Sequence, residues 1–260
     1  MTGAGAVVAL VVLEWTVGWM GAAAWTQTWA VVRRGHFRIL GWGAIALAAL
    51  SLVTLRAAGG DAGTPVALAA GLLVAAVLYL LAQYTRTDVP GAVIGVAAAL
   101  IGVVALWSAG DLLPGWSWAA SVPQLLAGAV LLGGVTNGML LGHWYLNQPG
   151  LKPWALARLT LLTLAAVGAS GALGLAAAGK LSTAETSGAV LGLPGFGDSF
   201  ALAFFLIWLA LIVFTGVIVW MARRCVTIRS IQSATGLFYV ALLTAGVAEF
   251  LVRYLMVNAA

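Results

Sequence analysis

Charge is what this sequence has least of. Only 7% of its 260 residues are Asp, Glu, Lys or Arg, against about a quarter in a soluble domain, while 63% are hydrophobic. Such a chain has too little charge to solvate the surface of a water-soluble core. Cysteine is nearly absent as well. Cys225 stands alone, which excludes an intramolecular disulfide and any cysteine-held metal or iron–sulfur site within the chain. There are seven acidic residues and two histidines, and no Gly-rich phosphate loop, His-Glu-x-x-His, Gly-x-Ser-x-Gly or paired-Asp pattern accompanies them. No segment carries the arginine row of a voltage sensor. These absences argue against catalysis by this chain alone, and no residue is assigned as catalytic.

What the chain does have is long apolar runs. A hydrocarbon layer about 30 Å thick is crossed by about 20 apolar helical residues, and eight such segments fall near 5–32, 39–58, 65–84, 90–108, 121–145, 153–178, 199–222 and 234–257. They predict an all-α polytopic bundle, with 1–260 as a single transmembrane domain. Nine of the twelve basic residues (Arg33, Arg34, Arg38, Arg86, Lys152, Arg158, Arg223, Arg224 and Arg229) lie in or around four alternate gaps. The positive-inside rule makes these gaps cytoplasmic. Both termini are then outside, and the expected location is the plasma (inner) membrane, crossed many times. The basic residues are spread over helix ends on one face, so they read as topology determinants and lipid-phosphate contacts, with no patch or arm for nucleic acid.

Packing and connections have signatures of their own. Gly134, Gly138 and Gly142 repeat at four-residue spacing, as do Gly91 and Gly95, and small residues let transmembrane backbones approach closely. The fifth segment is therefore expected to be central, with Asn137 making a helix-to-helix hydrogen bond. The external stretch from Asp111 to Pro123 holds Trp116 and Trp118 and reads as interfacial. The long external connection 179–198 is a loop, a lid or a docking segment. Each half of the chain holds four crossings, and an even-numbered duplication would give two halves of the same orientation.

Ionisable groups within the apolar runs are the best leads to function, because charge buried in lipid is costly unless paired or used. Glu14 and Glu249 each lie about 12–13 Å below the outer end of their helix at 1.5 Å per residue. Arg253 follows Glu249 by one turn, on a stripe with Tyr239, Leu242 and Gly246, while Glu14 shares a stripe with Gly18, Gly21, Trp25 and Thr28. These three charged residues are expected to form one cluster in the outer leaflet. In one reading Glu249 and Arg253 neutralise each other and Glu14 snorkels or pairs with a neighbouring subunit. In the other, a carboxylate accepts a proton from a ligand in the outer leaflet, as quinol oxidation requires. A second group, His36, His143 and Asn147, lies toward the cytoplasmic face. It reads as interfacial anchors, as contacts for a ligand headgroup or quinone, or as a bis-imidazole pair for a haem b, although both histidines are expected at the water boundary.

The C-terminal run Ala248-Glu249-Phe250-Leu251-Val252-Arg253-Tyr254-Leu255 resembles the Glu-x-x-(Gly)-Arg-x-Leu ending of the last core helix in membrane anchors of the DMSO-reductase and polysulfide-reductase type. Eight helices and an external N-terminus also suit the DMSO-reductase anchor. The resemblance implies a non-catalytic membrane subunit of a respiratory electron-transfer complex, with quinone or quinol as ligand and with iron–sulfur and other redox subunits as partners. The competing expectation is a small proton-coupled transporter or lipid-handling permease, in which Glu14 and Glu249 would be the coupling carboxylates.

Overall fold

The apolar runs are helices. The computed structural model describes residues 3–58, 63–111, 113, 115–184 and 199–259. Among them are α1 (Ala4–Gln27), α2 (Arg34–Ala57), α3 (Gly63–Ala82), α4 (Val89–Gly110), α5 (Trp118–Asn147), α6 (Trp154–Ala176), the one-turn α7 (Ala178–Leu181), α8 (Ser199–Thr227) and α9 (Ile231–Asn258). All but α7 are long and apolar enough to cross a membrane, and no strand occurs among the described residues. The chain is an all-α, multi-pass membrane bundle.

The helices pack as two rings of four. In the first, α1, α2, α3 and α4 each touch the next and α4 returns to α1; in the second, α5, α6, α8 and α9 do the same. The rings meet chiefly through α1 against α5, flanked by α1 against α9 and α4 against α5. Exchanging α1, α2, α3 and α4 with α5, α6, α8 and α9 maps this neighbour order onto itself. The two halves therefore share a packing plan that their sequences only hint at.

The seam between them is made by glycine. A Cβ on Gly133 would run into the backbone of Gly18, and one on Gly18 into the carbonyl of Ala129. At this crossing, backbone lies directly on backbone. The Gly134, Gly138 and Gly142 row serves the second ring, facing Thr163 of α6 and Phe238 and Thr235 of α9, while Gly95 admits Ala24 and Tyr79. Asn137 donates across the seam to the Trp19 carbonyl at 3.4 Å and along its own helix to Gly133 at 3.0 Å.

At the end of the bundle expected to face the cytoplasm, the basic residues hold turns together. Arg34 pairs with Asp88 and donates to the Arg86 carbonyl at 2.7 Å. Arg38 lies over the Tyr84 ring and Arg158 over Trp154, at 4.3 and 4.4 Å from the ring centroids. Gln148, just beyond α5, receives the Arg33 amide at 2.9 Å and donates to the Val31 carbonyl at 2.8 Å. The first helix ends earlier than its apolar run: α1 stops at Gln27, and Ala30 turns the chain with φ 54°. Arg34, His36 and Arg38 therefore stand in the opening turns of α2 and not in a loop.

Candidate functional site

Glu14, Glu249 and Arg253 come together at the seam, with all three at 0% exposure. Arg253 Nε donates to Glu14 Oε1 at 2.7 Å. One terminal nitrogen of the guanidinium lies 2.5 Å from the same Glu14 oxygen and 2.9 Å from Glu249 Oε2. That nitrogen also donates to the Gln124 carbonyl at 2.8 Å, and the other terminal nitrogen reaches Met256 Sδ at 2.9 Å. Ser170 of α6 closes the far side, donating to Glu249 Oε1 at 3.4 Å. Four helices, α1, α5, α6 and α9, thus meet on one guanidinium and its carboxylates.

Depth explains why α1 and α9 supply this site together. Both carboxylates sit at the same level below the outer ends, so one arginine can reach both. Glu14 neither snorkels nor awaits a neighbouring subunit. Its partner is Arg253 of the same chain, and its second oxygen, Oε2, has no hydrogen-bond partner. Two carboxylates face one guanidinium here, and a buried cluster with an unbalanced charge is expensive in a low-dielectric interior. Binding one proton makes the cluster neutral.

Space for the cluster comes from Gly128, where a Cβ would strike Glu249 Oε2 and the Arg253 guanidinium. Sequence reasoning missed Gly128, Gln124, Ser170 and Met256. A usable signal existed for the first two, since a polar residue and a glycine four positions apart on the fifth apolar run place an amide and a gap on one helix face at about the depth of Glu14. The expected stripes hold only near the charges. Gly21 is half-buried and Trp25 is 38% exposed, because α1 opens there onto a groove on the side of the bundle lined by Val17, Ala99, Val103 and Leu126. On α9, Tyr239 is exposed and turns to His143.

The cytoplasmic group does not assemble into one site. His36 was expected at the water boundary but is 1% exposed, because α2 begins before it. Its ring packs on Phe37 and Trp144, and its Nε2 has no partner. His143 is exposed and lies 3.4 Å from the Tyr239 hydroxyl, beside a groove of about 460 Å³ shared by α5 and α9. Consecutive residues of a helix point about 100° apart, so His36, on the Trp144 side of α5, and His143 are turned to different neighbours. That is not the arrangement a bis-imidazole haem needs. Asn147 is exposed, while Thr136, about three turns earlier on α5, is buried and accepts a hydrogen bond from Trp15 Nε1 at 3.0 Å.

At the outer end, Trp118 opens α5 and packs on Trp107. Trp116 is turned inward and donates through Nε1 to the Met256 carbonyl at 2.9 Å, so it ties the connection before α5 to the end of α9. Of the long external connection, α7 and the turn to residue 184 are described; the remainder, 185–198, lies outside the described residues. Comparison of the chain with protein-family models, curated proteins and solved structures finds no match.

Proposed function

We propose that this chain is an integral membrane subunit of a respiratory electron-transfer complex that binds quinol, with the Glu14–Arg253–Glu249 cluster accepting a proton as the quinol is oxidised. The observation that carries this reading is the pairing of two fully buried carboxylates with a single arginine, one carboxylate oxygen being left without a partner. Oxidation of a quinol to a quinone releases two protons and two electrons. The cluster takes up one proton at a time, passing between a net negative and a neutral state, and the protons leave to the outer water. The electrons pass to a redox centre on a partner polypeptide, of the iron–sulfur class that the C-terminal resemblance implies.

A second reading is supported by the position of the cluster. It sits where two like-packed four-helix units meet, as substrate and coupling sites do in transporters built from repeats. A pull-down of the tagged chain from its native membrane in mild detergent separates the two. Co-purified redox subunits support the electron-transfer subunit, and a lone, colourless protein with proton flux in vesicles supports the transporter. Within the first reading, Glu249→Gln should slow quinol turnover at least about tenfold. Unchanged turnover would remove the proton-accepting role.

A further inference from the structure

A cavity of about 250 Å³ opens at the outer end of the second ring, between the start of α5, the end of α6, α7 and the end of α9. It is larger than the roughly 150 Å³ of an apolar cavity that holds benzene. Leu173, Leu181, Ala176 and Ala177 make apolar walls, and the Trp116 ring forms one side. Polar atoms around it are already engaged: Trp116 Nε1 by the Met256 carbonyl, and Met256 Sδ by Arg253. Lys180 lies 5.1 Å from the centroid of the Trp116 ring and donates to the Gly115 carbonyl, holding that side in place.

Gln124 is the exception. It lines the cavity, it is only 4% exposed, and neither its Nε2 nor its Oε1 has a hydrogen-bond partner. A buried amide with both ends unpaired is costly, and one convergent polar group in an apolar concavity is how small-molecule sites fix orientation. The cavity is also joined to the charged cluster, because two of its lining residues, Gln124 through its carbonyl and Met256 through its sulfur, bind Arg253.

We infer that this cavity seats the ring of the quinol and that Gln124 is the residue that recognises its oxygen. The inference rests on the quinol-binding reading and adds the place and the contact. An amide suits both redox states: its NH2 donates to a quinone carbonyl, and its oxygen accepts from a quinol hydroxyl, with no change of charge. A carboxylate or an ammonium would suit only one. The tail leaves past Ala119 and Ala120, both exposed on the cavity's rim.

The test is equilibrium binding of a radiolabelled short-tailed benzoquinone to the full chain in lipid nanodiscs. Wild type is compared with Gln124→Leu, with Ala120→Trp, which fills the cavity from an exposed position, and with Gln27→Leu in the other ring. Saturable binding to wild type and Gln27→Leu, about tenfold weaker binding to Gln124→Leu and none to Ala120→Trp is the expected result. If Gln124→Leu fails to fold, Ala120→Trp decides. Wild-type affinity in folded Gln124→Leu or in Ala120→Trp would overturn the cavity assignment while leaving quinone binding standing. No saturable binding to wild type would overturn both.

Discussion

In the ring of α1 to α4, two buried amides answer each other without charge: Gln27 donates to Gln83 at 2.8 Å, Gln83 to the Tyr79 carbonyl at 3.0 Å, and Gly91 leaves room for both side chains. The ring of α5, α6, α8 and α9 shares that neighbour order but encloses Glu249 and Arg253, and it draws Glu14 out of the first ring toward them. Its remaining polar contacts, such as Thr215 with Thr244 at 2.7 Å, are of the ordinary interhelical kind. One packing plan is thus built once without a buried ion pair and once with one. Four helices can be closed by glycine contacts and neutral hydrogen bonds, so closure of the second ring does not by itself call for its charges.

The sharpest way to break this contrast is Arg253→Met. Leaving two buried carboxylates without their cation should cost about 3–5 kcal/mol, seen as a lower melting temperature in detergent and a loss of folded yield. Adding Glu14→Gln and Glu249→Gln should recover much of that loss, because the penalty lies in the orphaned charges. Arg253→Met melting like wild type would mean that the cluster is no more demanding than the amides of the other ring. Next in size is the seam. Gly133→Ala forces a methyl into the Gly18 backbone and should cost about 1–3 kcal/mol, lowering the melting temperature without a preference for either ring. The smallest effect is expected from Gln83→Leu, about 1 kcal/mol or less as for other hydrogen bonds between membrane helices, with quinol turnover unchanged. A turnover defect in Gln83→Leu would show that the first ring takes part in the chemistry and erase the distinction.

The charged cluster was legible before the structure because depth is linear in sequence: at a fixed rise per residue, Glu14 and Glu249 had to lie at one level, with Arg253 a turn away. Helix number and type followed from the apolar runs for the same reason. Which helices touch was not legible. Gly133 makes the closest crossing yet lies outside the evenly spaced row of Gly134, Gly138 and Gly142, since a four-residue spacing marks a face and does not name its partner. His36 was misplaced because an apolar run does not show that its helix stops at Gln27 and that a new one starts at Arg34. Gln124 and Gly128, four positions apart, marked one face at the depth of Glu14, but the role of the amide became clear only with the cavity before it and the guanidinium behind it.

The glycine crossing at Gly18 and Gly133 has a mechanical consequence. With no side chains between the backbones, any tilt of one half against the other would turn about this contact. Arg253's carboxylate partner on α1 lies one turn away, about 6 Å along the helix, whereas the ends of α1 lie about 14–21 Å from the crossing. A tilt of about 10° would shift atoms at Glu14 by about 1 Å and the helix ends by about 2–4 Å. Such a tilt would move the ends of the helices about two to four times as far as the charges near the pivot.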